Sequence, residues 1–146
     1  MSRRRAPKEL FVSHSSRDHR FAAKLVRVLQ AHGLRCWFSP RHIVGAQQWH
    51  DEIGRALLRC DWSLVILSPH AVNSEWVKRE LVFALNNAQY RGRIVPLLRR
   101  RCEYQRLSWT LDQSQFVDFT SSADEGLKEL MRVWGLRYAS AQRRRD

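Results

Sequence analysis

Residues 62–67 read WSLVIL, with Ser63 the single hydroxyl among five apolar side chains. A strand with one wet face alternates polar and apolar residues; this run does not, and so is expected to be covered on both faces. Strands of that kind belong to parallel sheets flanked by helices, because each parallel connection has to cross over a face of the sheet.

The flanking sequence repeats the theme. After the strand, SPHAVNS reads as a loop, with Asn73 or Ser74 as a helix cap. A helix follows in SEWVKRELVFAL, residues 74–85, with Val77, Leu81, Ala84 and Leu85 at helical spacing as its apolar stripe. Before the strand, Trp49, Ile53, Ala56 and Leu57 mark another amphipathic helix, preceded by a loop from Ser39 to Gln48 that holds Pro40 and Gly45. Upstream again come a strand at Leu34–Phe38 and a helix carrying Phe21, Leu25, Val28 and Leu29. Ser15, Ser16 and Asp18 open that helix and Gly33 ends it, behind a first strand at Leu10–Ser13. Downstream, Arg93–Leu98 and Phe116–Phe119 read as strands, and Leu127, Leu130, Met131 and Trp134 mark a last helix. Residues 99–114 show no clear period. The alternation predicts an α/β protein with a parallel sheet between helices and right-handed crossovers.

The 146 residues fit one domain, and the formal charge is +12. Much of the excess lies in three runs, Arg3–Arg5, Arg99–Arg101 and Arg143–Arg145. They read as solvated tails and a basic loop, since no nucleic-acid reading motif accompanies them; no specific nucleic acid is expected as a partner. No apolar run is long enough to span a bilayer and no signal peptide is recognisable, so no membrane partner is expected either. Cys36, Cys60 and Cys102 are odd in number and lack Cys-x-x-Cys spacing, and the six histidines are scattered. A disulfide framework and a zinc site are therefore not expected, and a reducing, cytoplasmic location is.

Three blocks carry a resemblance: FVSHSSRD at 11–18, GLRCWFSPRHIVGAQQW at 33–49 and SEWVKREL at 74–81. In order and spacing they resemble a bacterial Toll/interleukin-1 receptor (TIR) domain over residues 8–137, with basic tails at 1–7 and 138–146. The resemblance implies a flavodoxin-like three-layer fold with a five-stranded parallel sheet between helices. In that fold the strand order reverses between the first and third strands, where ligands bind outside the carboxyl ends. The crevice is expected between Ser13–Ser16, Ser39–Gln48 and the segment from Ser68 to the Trp76 helix, with Trp76 and Glu80 lining its mouth.

Trp76 and Glu80 stand four residues apart, one turn of helix, on a stripe beside the core stripe. Read alone, Glu80 is more often a solvated residue pairing with Lys78, and Trp76 is as readily a staple against the sheet. The resemblance implies cleavage of NAD+ at its nicotinamide–ribose bond, with Glu80 catalytic. It also implies substrate contacts from Trp76 by stacking, from His14, Ser15 and Arg41 to ribose or pyrophosphate, and from Trp49 closing the pocket. NAD+ is then a substrate and no cofactor is expected; no Gly-x-Gly-x-x-Gly is present. One departure is His42, where relatives often carry an acidic residue. The implied roles are an NAD+ glycohydrolase or ADP-ribosyl cyclase in anti-phage defence or immune signalling, self-association with other TIR domains, and a fused or separate sensor or effector partner. The competing function is a non-enzymatic TIR adaptor.

Overall fold

A computed structural model describes residues 6–38 and 46–140, and of residues 46–49 the backbone alone. Five strands, β1 (Leu10–Ser13), β2 (Cys36–Phe38), β3 (Trp62–Leu67), β4 (Ile94–Leu98) and β5 (Val117–Asp118), form one sheet in the order β2-β1-β3-β4-β5. Every pairing is parallel, with Leu10 opposite both Cys36 and Trp62, and Leu67 opposite Leu98. The helices are α1 (His19–Ala31), α2 (Ala46–Arg59), α3 (Pro69–Val72), α4 (Glu75–Leu85) and α5 (Ala123–Val133). This is the α/β, flavodoxin-like arrangement of three layers expected from the sequence.

All six residues of β3 are buried, as their unbroken hydropathy implies. The period of two still sorts them. Trp62, Leu64 and Ile66 join Leu10 and Val12 against Leu25, Leu29, Leu130 and Trp134 of the α1/α5 side. Val65 and Leu67 face the other side with Val77 and Leu81, and Phe11 packs with Ile53, Ala56 and Leu57 of α2.

Several expected boundaries move. Leu34 precedes β2 instead of starting it. Gly33, at φ +84°, closes α1, and the amide of Leu34 returns to the carbonyl of Leu29. Residues 46–48, expected in a loop, open α2. The stretch after β3 holds the one-turn helix α3, capped by the Ser68 hydroxyl with Pro69 at its first position. β5 keeps two of the four residues assigned to it. The unreadable 99–114 segment contains two 3₁₀ turns, Tyr104–Arg106 and Trp109–Gln113; Leu107, just after the first, and Leu111, in the second, are buried beside Val77 and Leu81. Side chains spaced for a single 3₁₀ turn leave no longer period to read.

At the other end, Tyr138 and Ala139, assigned by sequence to the basic tail, are docked. Tyr138 stacks on His32 at 5.6 Å, and the amide of Ala139 donates to His32 Nε2 at 3.0 Å. No helix among the described residues is long and apolar enough to cross a membrane.

Candidate active site

Two chain segments meet where the strand order reverses, at the carboxyl ends of β1 and β3. β1 runs into Ser13, His14 and Ser15, all buried. Ser15 caps the 3₁₀ turn Ser16–Asp18 by accepting from the Arg17 amide, which turns the chain into α1. After β3 comes Ser68, then α3 and α4. Ser74 is the cap of α4, its hydroxyl accepting from the Val77 amide at 3.3 Å, with Glu75 in the first turn where negative charge suits the helix dipole.

α4 packs across β1 and β3. Its buried face is Val77, Glu80, Leu81 and Ala84, whereas Leu85 is 41% exposed. Glu80 therefore stands on the core stripe itself, not on the one beside it, and Leu85 leaves the stripe. The carboxylate is 2% exposed, and its Oε1 accepts from the Ser13 hydroxyl at 2.6 Å. This excludes the solvated reading with Lys78, an exposed residue. Glu80 is thus buried between α4 and the carboxyl end of β1. Burying a carboxylate is costly unless donors hold it, and such groups gather at functional sites.

Trp76, one turn before Glu80, is half-buried against the Phe11, Ile53 and Leu57 cluster. The His50 ring meets it edge-on at 5.8 Å, and the Arg79 guanidinium lies 5.4 Å from its centroid. The indole thus serves as a staple, with His50 and Arg79 as its polar neighbours. His14 is fully buried and forms a triangle of rings with His19 and Phe38, at 5.5–5.8 Å between centroids. Ser15 is buried beside it. Arg41 lies outside the described residues, and of Trp49 only the backbone, in α2, is described.

One cluster escaped the sequence reading. Asp18, read only as helix-start chemistry, is 1% exposed. Its carboxylate accepts from the Ser68 hydroxyl at 2.5 Å and from the Arg99 guanidinium, so the ends of β1, β3 and β4 are tied at one point. Arg99 also lies 4.8 Å over the Phe21 ring. Hidden in a run of three arginines, it gave no hint of burial; its place directly after a strand was the available signal.

A doubly wound parallel sheet whose order reverses over a buried carboxylate defines a flavodoxin-like protein, a class in which ligands bind at the switch point. The family model described as the TIR domain matches residues 10–131, and the chain belongs to that family. It is 29% identical over 133 residues to the NAD(+) hydrolase PdTIR of Paracoccus denitrificans (strain Pd 1222), a match covering 87% of this chain and 44% of that protein. The chain thus spans less than half the length of this relative. Among solved structures, the TIR domain of the Toll-related receptor TRR-2 from Hydra magnipapillata superposes with a TM-score of 0.68 at 18% identity, covering 84% of this chain and 94% of that one. The TIR domains of the activated Roq1 resistosome, which recognises the pathogen effector XopQ, give 0.62 at 14% identity, over 86% and 98%. Both likenesses concern the fold.

Proposed function

We propose that this chain is an NADase, cleaving the nicotinamide–ribose bond of NAD+ with Glu80 as its catalytic carboxylate. The observation that carries the reading is the buried Glu80, held by Ser13 where β1 and β3 diverge. The bond breaks with its electron pair moving onto the pyridinium nitrogen, so nicotinamide leaves neutral and needs no general acid. Positive charge develops at the ribose, and a nearby carboxylate in a dry site stabilises it. Water then attacks and releases a proton, giving ADP-ribose; attack from within the substrate instead gives a cyclic isomer. Trp76 offers a face for the pyridinium, an interaction worth about 0.5–2 kcal/mol. His14, Ser15, Arg41 and Trp49 are assigned to substrate binding. The match to an NAD(+) hydrolase supports the same chemistry. Self-association with other TIR domains and a role in cytoplasmic anti-phage defence belong to this reading.

The decisive measurement is nicotinamide release from NAD+ by the purified chain, followed by mass. Glu80→Gln is expected to fold and to lose about 10²–10³ in rate. Unchanged turnover in the folded variant would end the assignment. The 2.6 Å bond to Ser13 favours one other reading, a non-enzymatic TIR adaptor in which Glu80 only ties α4 to β1. That reading requires Glu80→Gln to melt early while the parent chain releases no nicotinamide.

A further inference from the structure

Ser13 stands where β1 would be completed by an apolar side chain. It alternates with Val12, so it shares the α2/α4 side of the sheet with Phe11, and it lies opposite Val65. Both Ser13 and Glu80 are at least 98% buried, and the hydroxyl-to-Oε1 distance is 2.6 Å. A serine hydroxyl rotates about one bond from a strand that is hydrogen-bonded on both sides. It is therefore a donor whose position costs little entropy to hold. A glutamate on a helix has three torsions, so the partner that fixes its carboxylate also fixes where the charge points.

We propose that Ser13 is a positioning residue for Glu80: its hydroxyl donates to Oε1, keeps the carboxyl ionised in a buried place, and aims it at the crevice. The inference rests on the NADase reading for its consequence and on the Ser13–Glu80 geometry for its substance. Donation to a carboxylate favours the charged form, so losing the donor moves the titration of the acid upward. The titratable and charged groups on the elements packed against α4 are His14 after β1, with His19 of α1 beside it, His50, Asp51, Glu52, Arg55 and Arg59 on α2, His70 on α3 and Tyr90 in the turn after α4, together with Glu75, Lys78 and Arg79 on α4 itself. These groups are of both signs, and the hydroxyl of Ser13 is the donor seen at Oε1.

The test uses the whole chain with carboxyl-labelled glutamate, the Glu80 signal being assigned by its loss in Glu80→Gln. In Ser13→Ala the Glu80 carboxyl is expected to titrate about one to two pH units higher than in the parent chain, the size of one hydrogen bond to a charged group. The acid limb of kcat/KM for NAD+ should move by the same amount, with KM little changed and kcat recovering at higher pH. An unmoved Glu80 titration in a folded Ser13→Ala overturns the proposal, whatever happens to the melting temperature. If Ser13→Ala does not fold, Ser13→Cys, a weaker donor of similar size, must shift the titration in the same direction. A parent chain that releases no nicotinamide overturns the NADase reading, while the carboxyl titration still decides the Ser13–Glu80 link.

Discussion

Cys36 and Cys60 illustrate how burial sets chemistry one side chain at a time. Desolvation, then the nearby Glu9 carboxylate, pushes both thiols up to about 12. At neutral pH almost no thiolate forms, and the thiolate is the reactive species. Cys102 is also raised by burial, with a smaller shift. Iodoacetamide at pH 8 is therefore expected to modify Cys102 first, leaving Cys36 and Cys60 intact until urea is added; intact mass reads the count. Gly126 makes a steric statement of the same local kind. A Cβ there would fall 2.6–2.8 Å from the Phe119 ring. That ring is held edge-on by Phe21 at 5.8 Å, so it cannot swing away freely. Gly126→Ala should gain helix propensity yet lose about 1–3 kcal/mol to overpacking, seen as a lower urea midpoint.

Between elements, two ties matter. Asp18, Ser68 and Arg99 join three strand ends, and removing one partner leaves a buried charge without compensation. Asp18→Asn is expected to cost roughly 3 kcal/mol, the low end for a buried pair because the Arg99 side chain keeps 24% exposure. Urea unfolding of Asp18→Asn, Arg99→Met and the double variant measures the coupling; additive losses would refute the tie. The second joins the chain beyond α5 to the end of α1. His32 Nδ1 lies 2.8 Å from the Val28 carbonyl, and Nε2 accepts from Ala139. An Nε2 that accepts a hydrogen bond leaves Nδ1 to carry the hydrogen that meets the Val28 carbonyl. His32→Phe keeps the stack on Tyr138 but removes the acceptor. The Ala139 amide should then exchange with solvent faster, with no change in the amides of β3.

Across the molecule, a formal charge of +12 makes each carboxylate's partner count. The Arg59 hydrogen bonds hold Glu9 below its ordinary 4.5, and Thr120 holds Asp118 below 3.8. Both carboxyls titrate lower folded than unfolded. Their stabilisation is complete above those ordinary values and is lost as pH falls through the lower folded ones. Their share of the stability, read as the difference in urea midpoint that removing the partner makes, should therefore be level from pH 7 to about 5 and then decline. Arg59→Gln should start lower at pH 7 and decline less steeply, because Glu9 then titrates alike in both states.

The order of strands and helices was legible because it rests on local periodicity: WSLVIL could only be a two-faced buried strand, and β3 is one. The blocks around Trp76 and Glu80 were legible as a family pattern. What tertiary structure alone decided is which way those side chains face. Helical spacing admits either Leu85 or Glu80 on the inner face of α4, and hydropathy favours the leucine. The packing of α4 across β1, with a hydroxyl waiting at Ser13, selects the glutamate. Asp18 and Arg99 are 81 residues apart in the chain, and no local rule joins them. They meet because parallel strands deliver their carboxyl ends to the same edge of the sheet, where a charge can be buried only if another part of the chain brings its partner.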